Sequence, residues 1–196
     1  MGCGWCGVTI AYYNEFDPFC ADWLLELIAD GLIAPGIVDR RSIVDVLPSD
    51  LKGFNQCHFF AGIGVWSLAA RLTGWSDDRP LWTGSAPCQP FSAAGKAAGF
   101  DDERHLWPAW FHLIECAKPA NVPLIGEQVA SKDGRTWLDL VFNDMEGLGH
   151  ACGALDTCAA GLGAPFIGQR LYWLAATAGS RCEGVSGRGT AQDERI

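Results

Sequence analysis

Cys57-His58-Phe59-Phe60-Ala61-Gly62-Ile63-Gly64-Val65-Trp66-Ser67 is the stretch on which the fold turns. Cys57 to Ala61 is apolar and aromatic and reads as a strand. The Gly62-Ile63-Gly64 triplet reads as a tight turn, and Ser67 to Leu72 continues as a helix. A strand that runs through a Gly-x-Gly turn straight into a helix belongs to open α/β sheets, in which ligands lie beyond the carboxyl ends of the strands. The small residues of the turn let the backbone come close to whatever binds there.

Working outward, Leu81 to Gly84 reads as the next strand, Leu106 to Cys116 as a helix and Val122 to Ile125 as a strand. Thr136 to Met145 reads as a further helix, and His150 to Leu155 and Leu171 to Ala175 as the last two strands. Upstream, Val8 to Tyr13 is apolar and β-prone. Asp17-Pro18 then opens a helix in which Phe19, Trp23, Leu24, Leu27 and Ile28 recur at helical spacing, ending near Gly31. Pro35-Gly36 reads as a turn and Ile43 to Leu47 as a second strand, between Arg40-Arg41 and Pro48-Ser49-Asp50. Strands alternating with helices predict a mostly parallel α/β sheet. Residues 1–177 are expected to form one domain, and 178–196, rich in Gly, Ser, Arg and Glu, a flexible polar tail.

Composition bounds the rest. With 196 residues, 49% hydrophobic and 19% charged, the chain has apolar material for one full core. Its nine cysteines are scattered through apparent strands and helices, the pattern of reduced thiols in a cytoplasm. Cys3 and Cys6 make a CxxC pair without a second pair at ligand spacing, so no metal site is expected. No apolar run has the length of a membrane span, and Met1 is not followed by a leader pattern. A net charge of −9 counts against a broad grip on a polyanion. Only Lys96, Arg104, Lys132 and Arg135 fall near the motifs as a local offset.

Chemistry concentrates in three further segments. Pro87-Cys88-Gln89-Pro90-Phe91-Ser92 follows the Leu81 to Gly84 strand and displays a thiol where a strand opens into a loop; Gly95 and Gly99 are candidate hinges for the loop from Gln89 to Gly99. Gly126-Glu127-Gln128-Val129 closes the next strand, and Gly163-Ala164-Pro165-Phe166-Ile167-Gly168-Gln169-Arg170-Leu171-Tyr172-Trp173 leads into the last. Together with Phe60-Ala61-Gly62-Ile63-Gly64, these segments resemble the catalytic core of the cytosine-5 DNA methyltransferases. The resemblance implies a Rossmann-like, S-adenosylmethionine-dependent methyltransferase sheet, mostly parallel with an antiparallel strand. It also implies methyl transfer to carbon 5 of a cytosine flipped out of DNA.

In such an enzyme Cys88 attacks carbon 6 of the base, Glu127 donates to nitrogen 3 and Arg170 holds oxygen 2. Phe60, Ala61, Gly62, Ile63, Gly64 and Pro87 border S-adenosylmethionine. The chain departs from the family pattern at several positions, among them Phe166 in place of a motif glutamine and Ser42 in place of an aspartate. His58 stands in place of an aspartate, Val65 of a glycine and Gln128 of an asparagine, and Gly168 occupies the position of one of two motif arginines.

The family's ribose-binding acid and adenine-binding strand ordinarily lie between the glycine turn and the cysteine, where this chain leaves too little sequence for them. Tyr13-Asn14-Glu15-Phe16-Asp17-Pro18-Phe19-Cys20 and Arg41-Ser42-Ile43-Val44-Asp45-Val46 resemble these parts and stand at the front. A circular permutation, and with it a permuted strand order, is therefore expected, with Glu15 on the ribose, Phe16 stacked on adenine, and Ser42 and Ile43 along the adenine edge. The competing reading makes residues 1–50 an unrelated extension. Leu47 to Gln56 spans roughly 33–36 Å when extended, enough to cross a sheet, and neighbouring termini tolerate such reshuffling.

The family's target-recognition domain has no counterpart in the sequence. A partner chain supplying recognition, low sequence specificity, or a single-stranded DNA or RNA substrate would each accommodate this, and a transfer-RNA-methylating branch of the family shares the motifs. A degenerate member that binds cofactor or DNA without turnover is the alternative. The resemblance implies a bacterial cell or phage-infected host and the setting of restriction-modification.

Overall fold

The computed structural model describes residues 11–87, 106–117 and 121–177. Seven strands, β1 (Ala11–Asn14), β2 (Gly36–Asp39), β3 (Gln56–Phe59), β4 (Leu81–Gly84), β5 (Leu124–Val129), β6 (His150–Cys158) and β7 (Gln169–Thr177), form one sheet in the order β2-β1-β3-β4-β5-β7-β6. Strands β1 to β5 pair in parallel, and β7 runs antiparallel to both β5 and β6. This is the α/β sheet with an antiparallel strand that the motifs imply. Its strand order is unusual, because the strand carrying the glycine turn is third in the chain yet lies in the interior of the sheet.

The second strand differs from the sequence reading. Ile43 to Leu47 is not a strand: Ile43–Asp45 forms a 3-10 turn followed by another at Pro48–Leu51, and the strand is Gly36–Asp39. Gly36 pairs with Ala11 in the parallel ladder of β1 and β2, and crowding makes it glycine: a Cβ there would lie 2.2 Å from the Ala11 carbonyl oxygen and 2.7 Å from the Tyr13 ring. The apolar Ile43 and Val46 are buried all the same, in the core cluster that holds Phe59, Trp82 and Trp110.

Helix α1 (Pro18–Ala29) starts where Asp17 accepts from the Cys20 N–H at 2.9 Å, with Pro18 at its first position. Helix α2 (Val65–Leu72) springs from Gly64, whose φ of 78° is the left-handed region that glycine favours. Ser131 caps α4 (Lys132–Gly147) by accepting from the Gly134 N–H.

Helices α3 (Trp107–Ala117) and α4 cover one face of the sheet with an aromatic core. Trp107, Trp110, Trp137 and Trp173 lie with linked ring centroids 5.5–6.0 Å apart. Glycines on the strands admit these rings: a Cβ at Gly84 would meet Trp110 at 2.5 Å and one at Gly126 would meet Trp173 at 2.2 Å.

On the opposite face α1 and α2 cover β1 and β3, where Tyr13, Leu24, Ile33, Ala34 and Ala61 form a second cluster. Buried polar groups there are paired. The Tyr13 hydroxyl donates to the Ala34 carbonyl at 2.7 Å and lies 2.9 Å from Ser67 Oγ. His58 stacks on Tyr13 with ring centroids 5.0 Å apart. This opposite face lacks a covering helix over β6 and β7 among the described residues, so Leu155, Tyr172 and Leu174 are exposed there. No described helix is long and apolar enough to cross a membrane.

Candidate active site

At the carboxyl ends of β1, β3, β4 and β5, two cavities of about 520 and 430 Å³ adjoin, with Phe60, Gly62 and Ser85 common to both linings. The larger lies over the β1 and β2 side and is bordered by Glu15, Phe16, Ser42, Ile43 and Pro87. The smaller lies over β5 and β7 and is bordered by Ala61, Ile63, Trp66, Glu127, Arg170 and Tyr172. Every predicted site residue that is described lines one of the two except Gly64. That glycine is buried against Leu24, Leu27 and Ile33 and serves the turn instead. Cys88 lies outside the described residues, as does the loop from Gln89 to Gly99.

The wall between the cavities is a constrained turn. Phe60 has a φ of 50°, a left-handed conformation that non-glycine residues adopt seldom and mainly where a site requires it. Its ring rests edge-on against Trp110 at 6.0 Å. Glu15 closes the turn from β1: one carboxylate oxygen accepts from the Gly62 N–H at 2.6 Å, the other from the Asp17 N–H at 2.8 Å. The predicted cofactor acid thus already grips the predicted cofactor turn. Phe16 stands at the rim, 72% exposed, and the Ser42 side chain makes no cap bond to the turn that follows it.

The segment bearing Ser42 is tied down by a polar cluster that the sequence did not disclose. Asn14 donates to the carbonyls of Arg41 at 2.9 Å and Asp39 at 3.3 Å. Arg41 reaches both Asp39 and Asp50 at 2.6 and 2.7 Å, and the Tyr12 hydroxyl donates to Asp39 at 2.7 Å. Burial works against the Asp39 charge, yet Arg41 and Tyr12 bring its carboxyl down to about 2.

In the smaller cavity Glu127 Oε1 lies 2.7 Å from Arg170 Nε. The pair follows from register, since Glu127 stands opposite Tyr172 and Val129 opposite Arg170. Burial pushes the Glu127 carboxyl above the ordinary glutamate range, and the neighbouring Arg170 and Ser85 hydroxyl pull it only partly back. A carboxyl raised in this way is suited to proton donation.

Three departures from the motif pattern have local causes. Gln128 is buried, with its Nε2 donating to the Ala86 carbonyl at 3.4 Å and its Oε1 accepting from the Val129 N–H at 2.9 Å. It thereby braces the root of the Pro87-Cys88 segment. Gly168 adopts a φ of 47°, and a Cβ there would lie 2.6 Å from the Phe166 ring, so an arginine does not fit without rearrangement. His58 is a buried neutral residue, its Nδ1 2.8 Å from Thr83 Oγ1, with burial pushing its pKa down to about 3.

Comparisons with known proteins bear on the sequence family and on the fold. Residues 75–165 match the C-5 cytosine-specific DNA methylase family. That span is just under half of the chain and contains the cysteine and glutamate motifs. A search of curated protein sequences returns no match. Among solved structures, a mutant form of DNMT2 from Spodoptera frugiperda aligns with a TM-score of 0.56 at 15% identity, covering 93% of this chain and 45% of that one. The Dnmt2 methyltransferase of S. pombe aligns with a TM-score of 0.50 at 13% identity, covering 86% and 51%. At such identities the likeness concerns the fold. The chain spans about half the length of these structures.

Proposed function

We propose that the chain is a member of the C-5 cytosine methyltransferase family that transfers a methyl group to carbon 5 of cytosine in DNA. The observation that carries this reading is the pair of adjoining cavities. The larger is lined by Glu15, Phe16, Ser42, Ile43 and Pro87, expected to hold the cofactor, and the smaller by Glu127 and Arg170, expected to handle the base, together with Ala61 and Ile63 of the turn between them.

S-adenosylmethionine fits the larger cavity by the chemistry of its lining: carboxylate oxygens of Glu15, an exposed aromatic ring at Phe16, a hydroxyl at Ser42 and small residues in the turn. When bound it supplies an electrophilic methyl group and leaves as a neutral thioether. The chain's own residues do the remainder. The Cys88 thiolate forms a bond to carbon 6 of the ring, and Glu127 gives its proton to nitrogen 3 as electron density shifts onto the ring. Arg170 holds oxygen 2 and keeps Glu127 oriented. Carbon 5, made nucleophilic, takes the methyl group; a water removes the carbon 5 proton as the carbon 6–sulfur bond breaks to restore the Cys88 thiolate, and the nitrogen 3 proton returns to Glu127.

The strand order supports a circular permutation. If β3 is counted as the first strand, β4 to β7 keep their numbers and β1 and β2 become the second and third. The order then reads 3-2-1-4-5-7-6, which extends the doubly wound 3-2-1-4-5 arrangement. A crystal structure with S-adenosylhomocysteine tests this, since a ribose lying away from Glu15 overturns the assignment.

Five described arginines, Arg40, Arg41, Arg71, Arg135 and Arg170, are engaged in ion pairs. With a net charge of −9, this favours a partner chain that contributes phosphate contacts and target recognition. Transfer of a labelled methyl group to cytosine-containing DNA, with RNA as a parallel substrate, tests the whole reading. Label on DNA that vanishes in Cys88→Ala supports it. Label on RNA alone reassigns the substrate, and cofactor binding without transfer to either makes the chain a non-catalytic relative.

A further inference from the structure

Trp66 lies on the first turn of α2 and donates its indole N–H to Ser85 Oγ at 3.0 Å. An indole nitrogen donates and does not accept, so this bond occupies a lone pair of Ser85 and leaves its one O–H to point elsewhere. Ser85 and Glu127 both border the smaller cavity, and the Ser85 hydroxyl is among the influences that lower the Glu127 carboxyl, so Glu127 is the acceptor we assign to the free O–H. Ser85 also borders the larger cavity, so it stands in the wall between them. Trp66 is itself fixed, with its ring edge-on to Tyr172 at 6.0 Å, two residues along β7 from Arg170.

We infer that Trp66 and Ser85 are a positioning pair that fixes the Glu127 carboxyl for proton donation and ties it to the helix that begins at the glycine turn. Neither residue touches the reacting atoms in this role. Trp66 sets the polarity of the Ser85 hydroxyl, and Ser85 passes that constraint to Glu127 from the side opposite Arg170. The inference rests on the reading of Glu127 as the acid toward nitrogen 3, while the hydrogen-bond polarity holds whatever the substrate. Among the described residues, the titratable groups lining this cavity are Glu127 itself with Arg170 and Tyr172 from β7; α2 supplies none, and β4 leads to the Ser85 hydroxyl.

The test follows the ¹³C carboxyl shift of Glu127 against pH in the full chain, for wild type, Ser85→Ala, Ser85→Thr and Trp66→Phe. Ser85→Ala is expected to move the midpoint upward, because a donor to the ionised form is lost. Trp66→Phe keeps a ring against Tyr172 but frees the hydroxyl, and is expected to move it in the same direction by less. Ser85→Thr is expected to restore the wild-type midpoint. In parallel, methyl transfer by Ser85→Ala is expected to fall roughly tenfold in kcat with the KM for the cofactor held within about twofold. A Glu127 midpoint that stays in place in both Ser85→Ala and Trp66→Phe overturns the pair, even if kcat falls. A wild-type chain that transfers no label overturns the catalytic reading instead, and the titration still decides the hydrogen-bond arrangement.

Discussion

Glu15 and Glu127 stand on opposite sides of the wall formed by Phe60, Gly62 and Ser85, and the molecule holds them by different means. Glu15 is bonded by two backbone N–H groups in the half of the sheet that helices cover on both faces. Glu127 is paired with the Arg170 side chain, and its carboxyl is lowered by the Ser85 hydroxyl, in the half where one face is open. Backbone donors fix an acceptor in place and offer it nothing to exchange. Side-chain partners leave a half-buried carboxyl whose proton can be given and regained. The first arrangement suits holding a ligand and the second suits chemistry on one.

The comparison is sharpest in Glu127→Gln, which keeps the shape and removes the acid. Transfer is expected to fall by about 10²–10⁴, with S-adenosylhomocysteine affinity within about twofold of wild type by calorimetry. The wild-type rate should decline as pH rises through the elevated range of this carboxyl, because the protonated form is the donor, and the variant should lose that limb. Loss of affinity with an unchanged pH profile breaks the division of roles.

Glu15→Ala probes the other side. It removes the clamp on Gly62 and the proposed ribose acceptor, so affinity for S-adenosylhomocysteine is expected to weaken by about 10- to 100-fold. At saturating cofactor the single-turnover rate should fall far less. A rate defect without an affinity defect exchanges the two assignments.

What was legible in the sequence follows the same divide. The strand, turn and helix from Cys57 to Leu72 could be read locally, because apolar run, glycines and periodicity lie in one stretch. Pairings across the sheet could not. Arg170 reaches Glu127 through the β5 and β7 register, and Asn14 reaches the backbone at Arg41 across two parallel strands. Gly36 was misread because a glycine after a proline signals a turn, whereas here the Ala11 carbonyl and the Tyr13 ring exclude a side chain. His58 looked like a flaw in a motif, and its hydrogen-bond partner Thr83 lies on the neighbouring strand. Ser85 and Trp66 carried no signal, since a serine and a tryptophan in such segments ordinarily mean a loop and a core.

A smaller effect separates the closed and open faces within the β5-β7-β6 half. Gly126→Ala forces a Cβ to within 2.2 Å of the Trp173 ring, and overpacking of this kind costs about 1–3 kcal/mol. Gly153→Ala, on β6, meets nothing within 4 Å and is expected to be neutral or to stabilise by about 0.5–1 kcal/mol through lower chain entropy. Urea unfolding of the two variants measures the contrast. Equal costs imply that something covers the open face in solution.

The smallest expected effect is a difference of sign in how the two halves respond to acid. Asp39, beside the Ser42 segment, has its carboxyl drawn down to about 2 by Arg41 and Tyr12 in spite of burial, against about 3.9 in an unfolded chain. Between those values the unfolded chain binds more protons, so this contribution to stability is full above about pH 4 and is lost as pH falls toward 2. Glu127 runs the other way. Its folded carboxyl is raised, so the folded chain binds more protons there and stability declines as pH rises through the gap. Asp39→Asn should therefore be less stable than wild type at neutral pH and converge with it in acid. Glu127→Gln should be at least as stable as wild type at neutral pH and lose that advantage as pH falls. Parallel curves for the two variants would mean that both carboxylates are held for stability alone, and that the second half of the sheet has not traded stability for a proton it can release.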